Sequence, residues 1–175
     1  MTVSTLVETV GDASANTYGT LAEAETYFAD RLYADLWLAA SDDVKKQALL
    51  FATKVMDTQI TWKGFRTTSN QALSWPRIYV PNYDLAQDAV IAYLDSTIIP
   101  AFIKNSQFEL ALSLLAEDST TDSDTDGLKS IKVGSIALEI DNLTKKQTLP
   151  KQVLDIITRY GTAHGSSASV RLVRS

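Results

Sequence analysis

The sequence predicts a mainly α fold: a small helical bundle with one β-hairpin and an extended C-terminal tail. Three observations carry that prediction. Apolar residues recur at steps of three or four over several long stretches. One stretch near residue 130 switches to strict alternation, interrupted by a Gly-Ser pair. Beyond Gly161 the residues are small and polar and then half-apolar, too few to build a core of their own. At 175 residues, 45% apolar and 21% charged, the chain has the size and composition of one globular domain. It divides into a helical domain, residues 1–160, and a docking tail, residues 161–175.

The elements follow in order. Thr20 with Glu23 three residues later is a capping box. Leu21, Ala24, Phe28, Leu32 and Leu36 then mark one amphipathic helix through "TLAEAETYFADRLYADLWLAA". Ser41 and the acids Asp42 and Asp43 open a second helix, where carboxylates complement the positive end of the dipole. Val44, Ala48, Phe51 and Val55 share its apolar face. Gly64 breaks the chain that follows, and Pro76 biases Trp75 towards an extended conformation. Residues 84–97 read as a short extra helix or an elaborated loop. Pro100 suits the first turn of a helix running to Ala116, apolar nearly all round and therefore central. In "LKSIKVGSIALEI", Ile131 and Val133 alternate with Lys132, and Ile136, Leu138 and Ile140 with Ala137 and Glu139. Gly134-Ser135 between them makes a Gly-first two-residue turn, hence a hairpin at about 129–141. Pro150 opens a last short helix with Val153, Ile156, Ile157 and Tyr160 on its apolar side, and Gly161 stops it.

Charge and composition bound the function. The net charge of −5 argues mildly against general nucleic-acid binding, which needs a cationic surface. Its distribution is uneven. From Thr58 to Tyr83 the only charges are Lys63, Arg66 and Arg77, and from Ile156 onward there are arginines but no acid. A chain with acidic and basic regions suits head-to-tail contact between copies, although surface charge can fall this way by chance. No cysteine is present, so disulfides, thiolate nucleophiles and zinc–thiolate sites are excluded. The N-terminus lacks a cationic, apolar leader and no stretch has the length of a membrane span, so a soluble, non-secreted chain with no membrane partner is expected. "DSDTDG" at 122–127 begins like a calcium loop, but Val133 stands where the bidentate carboxylate belongs, so a solvated acidic loop is expected. The single histidine, His164, has no nucleophile motif around it. No phosphate loop, metal motif or dinucleotide fingerprint appears. The expectation is no enzyme, no cofactor and no metal.

"TWKGFRTTSNQALSWPR", residues 61–77, concentrates rings and cations. Trp62, Lys63, Arg66, Trp75 and Arg77 could form a base-stacking platform, since rings stack on bases and cations pair with phosphates. They could instead form a clasp and subunit contact, with rings packed and guanidiniums on carbonyls, or a purely internal core. Trp62 continues from the apolar face of the second helix and Trp75 is fixed by Pro76, which favours the clasp.

"ANTYGTLAEAETYFADRL", "WKG…QALSWPR", "GLKSIKVGSIALEI" and the terminal "SVRLVRS" together resemble a family of tailed-bacteriophage proteins from the head-morphogenesis region. That family often carries a primosomal DnaT-like, single-stranded-DNA-binding label, and its members look like head–tail connector (adaptor) proteins. The resemblance spans nearly the whole chain, with residues 80–98 longer than the family's usual turn. It implies a structural virion protein of the neck, made in the host cytoplasm. Copies would assemble as a homo-oligomeric ring beneath the twelvefold portal, in contact with tail or head-completion proteins. Double-stranded DNA would pass through its lumen without sequence-specific binding. The tail, with Val170, Arg171, Leu172, Val173 and Arg174, would dock on the portal or a neighbouring copy. A single-stranded-DNA-binding replication accessory is the alternative.

Overall fold

The computed structural model describes residues 3–84, 92–117 and 148–164, and the backbone of 130–133 and 136–139. Among these are five helices and three two-stranded antiparallel ladders, a mainly helical fold as the sequence predicts.

The first helix, α1 (Leu21–Ala29), starts at the expected capping box. The Thr20 hydroxyl accepts from Glu23 N at 3.0 Å, and the Glu23 carboxylate accepts from Thr20 N at 2.8 Å. The helix does not continue to residue 40. Tyr33 takes φ +60°, and the chain resumes as the short α2 (Asp35–Ala39). Leu32 and Leu36, expected on the apolar face, stand in solvent instead, while Trp37 is buried. The physical reason is Arg31. Its Nη1 donates to Leu32 O (2.7 Å) and Tyr33 O (3.2 Å), and its guanidinium pairs with Glu109 at 2.7 Å. The break is thus held by a residue 78 positions away in sequence, and the Trp37 ring lies 4.5 Å from Phe28.

The long α3 (Asp42–Gln59) buries Lys45, Ala48, Leu49, Ala52, Thr53, Val55 and Met56. That face is rotated from the expected one, leaving Val44 and Phe51 at its exposed margin. Two of the buried positions are polar, which an apolar pattern cannot reveal. Thr53 donates to Leu49 O at 2.9 Å, and Lys45 lies over the Trp37 ring with its ammonium 2.8 Å from Glu25.

After α3 come β1 (Ile60–Trp62), β2 (Phe65–Arg66) and β3 (Arg77–Ile78). Next is α4 (Ala101–Ala116), with Pro100 at its N-cap and every residue from Ser106 to Leu112 buried. It packs against α2, α3 and a later helix, α5 (Lys151–Ile157), the central position its apolar composition demands. Gln107 on α4 joins three segments. Its Nε2 donates to Thr17 Oγ1 (2.6 Å), Thr53 Oγ1 (2.7 Å) and Leu49 O (3.1 Å), and its Oε1 accepts from Gly19 N (3.0 Å).

The hairpin pairs β4 (Ser130–Val133) with β5 (Ile136–Glu139), Val133 opposite Ile136, leaving the expected two-residue connection. Val153, Ile157 and Tyr160 are buried around α5. The stretch assigned to the tail begins as strand β6 (Gly161–Ala163), antiparallel to β1 with Gly161 opposite Trp62. A Cβ on Gly161 would lie 2.8 Å from the Ile60 side chain and 3.0 Å from Trp62. Glycine there allows close approach of two strands. Of the stretch 84–97, residues 92–97 form a bridge, Tyr93 to Pro81, and turns, while residues 85–91 lie outside the described residues. The "DSDTDG" loop and residues 165–175 lie outside the described residues. Among those described, no helix is long and apolar enough to cross a membrane.

Candidate functional site

The aromatic and basic stretch folds into one corner of the molecule. Gly64 (φ +70°) turns the chain from β1 into β2, and a Cβ there would lie 2.2 Å from Ile78 O. The turn therefore requires glycine. Strands β2 and β3 pair Phe65 with Ile78 and Arg66 with Arg77. Between them, Gln71 closes the loop by donating to Leu73 O (2.9 Å) and Pro76 O (3.0 Å) and accepting from Thr68 N (3.0 Å). The Trp75–Pro76 bond is cis.

Both tryptophans of the stretch face inward. Trp75 is 1% exposed, and its ring meets Trp62 edge-on at 5.6 Å and Phe102 edge-on at 5.7 Å. Phe102 stacks in turn on Tyr160 at 4.1 Å. The two tryptophan rings are covered and offer no open face to a nucleic-acid base.

Arg77 gathers the corner's carbonyls. Its Nε donates to Lys63 O (2.8 Å), Nη1 to Ser74 O (3.0 Å), and Nη2 to Gly64 O (2.6 Å) and Trp62 O (3.3 Å). A planar guanidinium with five N–H donors suits such a task. Burial, helped by the nearby Arg66, pulls its pKa below the usual arginine value, which for arginine still leaves it charged at neutral pH. The Lys63 ammonium donates to Arg159 O (2.7 Å) and Tyr83 OH (3.0 Å). Arg159 pairs with Asp84 at 3.5 Å. Arg66 alone among the stretch's cations is exposed with no hydrogen bond or ion pair among the described residues. Beneath the corner Asp57 accepts from the Tyr18 hydroxyl and from Ser74 N at 3.0 Å. Burial raises the Asp57 carboxyl pKa against the lowering effect of those bonds. Burial and the adjacent Asp57 push the Tyr18 phenol well above its ordinary value.

The outer surface carries other rings. Phe65 is 68% exposed, and Tyr79, Tyr83 and Tyr93 are exposed near it, with Tyr79 and Tyr93 edge-on at 5.7 Å. Sequence reasoning singled out the tryptophans and passed over these rings, because two-residue strands are too short to show an alternation. A second exposed apolar group, Leu32, Tyr33, Leu36 and Leu38, sits at the α1–α2 break, with Tyr33 87% exposed. His164 is tied to the end of α3, its N donating to Gln59 O (2.7 Å) and its Nε2 2.6 Å from the Thr61 hydroxyl. Among the described residues no three histidine, aspartate or glutamate side chains gather as a metal site. The tail positions Val170, Arg171, Leu172, Val173 and Arg174 lie outside the described residues.

The described residues thus form a mainly helical body with apolar side chains exposed at the α1–α2 break and at the corner. Residues 4–175 match the model of a family described as "Putative DnaT-like ssDNA binding protein", and the chain belongs to that family. No curated protein and no solved structure matches it.

Proposed function

We propose that the protein is a structural subunit of a tailed-phage neck, a head–tail connector. Its copies contact one another and the portal in a ring that lets double-stranded DNA pass. The observation that carries this reading is the contrast between surface and cations. Apolar side chains stand exposed at two separate places, the α1–α2 break and the β2–β3 corner. Exposed apolar groups of that kind mark contacts with other proteins. Two such places on one protomer suit heterologous contacts, which close into rings when the rotation permits. The corner's cations, meanwhile, are largely committed to the protein's own carbonyls.

The family's description favours a second reading, single-stranded-DNA binding in replication. Phe65, Tyr79 and Tyr93 beside Arg66 give that reading its physical basis, since exposed rings stack on bases. One titration separates the two. Binding of a labelled single-stranded oligonucleotide should be weak and vanish as salt rises, because few phosphates can be neutralised and each contributes a salt slope of about −0.7. Tight binding that persists at physiological salt and is lost in Phe65→Ala or Tyr79→Ala would put DNA binding in place of the connector.

A further inference from the structure

The apolar group at the α1–α2 break has a definite electrostatic frame. Leu32, Tyr33, Leu36 and Leu38 are exposed, and Asp30, Asp35 and Asp42 around them are exposed carboxylates. The only cation from residue 30 to residue 42 is Arg31, already held by Glu109 and two carbonyls. The surface is therefore apolar with an acidic rim that lacks cationic partners of its own among the described residues. One segment of the chain offers complementary chemistry in a single short run. Residues 165–175, "GSSASVRLVRS", hold Val170, Leu172 and Val173 for the apolar surface, Arg171 and Arg174 for the rim, and no acid.

We infer that the C-terminal segment of one copy docks on the α1–α2 break of a neighbouring copy. Reach favours a neighbour over the same chain. The described chain ends at His164, bonded to Gln59 at the last turn of α3. The α1–α2 break sits at the opposite end of that helix, where Trp37 underlies Lys45. At 1.5 Å per residue, Lys45 and Gln59 are about 21 Å apart along α3. The six steps from His164 to Val170 span at most about 22 Å when fully extended. Within one protomer the segment would have to run almost fully extended to arrive. A neighbour placed head to tail imposes no such limit. Each copy would offer one basic segment and one acidic apolar surface, so the contact repeats from copy to copy. This inference does not depend on the connector reading, since it concerns only contacts between copies.

The absence of native cysteine makes the test clean. Full-length Ser175→Cys protein would be mixed with full-length Leu38→Cys protein and, separately, with Ser69→Cys protein as a remote control. Leu38 and Ser69 are both exposed, so neither change disturbs the core. Mild oxidation should give at least tenfold more mixed disulfide dimer with the Leu38→Cys partner than with the control. Adding Arg171→Glu and Arg174→Glu to the Ser175→Cys chain should remove that excess, and Asp30→Arg with Asp35→Arg in the Leu38→Cys chain should restore it. Equal cross-linking to both partners would overturn the inference. So would a Ser175→Cys/Leu38→Cys chain that closes on itself at high dilution while the mixed pair does not react.

Discussion

The interior between α3 and α4 and the corner at residues 60–83 dispose of their polar groups in different ways. In the interior a side-chain amide is the hub: Gln107 bonds to Thr17, Gly19, Leu49 and Thr53, all within a covered core. At the corner a guanidinium is the hub, and it bonds to backbone: Arg77 serves the carbonyls of Trp62, Lys63, Gly64 and Ser74. The corner buries two tryptophans below and leaves Phe65, Tyr79 and Tyr93 in solvent above. The difference separates two kinds of packing: one region ties helices together through a covered side chain, and the other ties a turn together beneath exposed rings, the surface proposed above for contact.

That comparison can be broken or sharpened by substitution. The largest effect is expected in the interior. Gln107→Leu leaves Gly19 N–H without its partner inside the core and removes the bonds that the Thr17 and Thr53 hydroxyls and Leu49 O accept. It should lower unfolding free energy by about 3 kcal/mol in a urea titration, from the desolvation penalty of unsatisfied buried groups. At the corner, Arg77→Lys keeps the charge but offers one nitrogen where four carbonyls are served. A loss of about 1–2 kcal/mol is expected, with the fold retained. A loss at Arg77 larger than that at Gln107 would reverse the assignment of the two roles.

A smaller effect is confined to alkaline pH. Burial, then the hydrogen bond to Glu109, pushes the Tyr27 phenol up to about 12. Its folded pKa lies above the ordinary value of 10.0. The stability it contributes is thus fully present below pH 10 and lost as pH rises through about 12. Melting temperature followed over that window should fall less steeply in Tyr27→Phe than in the native chain. The smallest stability effect belongs to the contact surface. Phe65→Ser should change unfolding free energy by no more than about 0.5 kcal/mol, as exposed positions do, while weakening association between copies in sedimentation.

Local signals carried much of this fold. The capping box at Thr20 and Glu23, the apolar α4 and the Gly134-Ser135 hairpin connection are all set by residues within a few positions of each other. What escaped was set at long range. The end of α1 depends on Arg31 finding Glu109, 78 residues away. The rotated face of α3 depends on polar contacts from Lys45 and Thr53 to other segments. Gly161 reads as a helix stop, yet its closeness to Ile60 and Trp62 makes it part of a strand pair. At the corner the composition was visible, but which rings face inward was not. Trp75 is covered by Phe102 as well as Trp62, and Phe102 by Tyr160, so that choice depends on α4 and the residues after α5 and not on residues 61–77 alone.

The central claim is that copies of this protein work by contacting one another and a portal, and the most direct measurement is electron imaging of the native phage particle with the protein identified by an antibody or a fused tag. The account predicts density for a ring of copies, coaxial with the portal, at the neck between head and tail. Particles whose necks lack the protein, together with recovery of the protein on single-stranded DNA in infected cells, would contradict it.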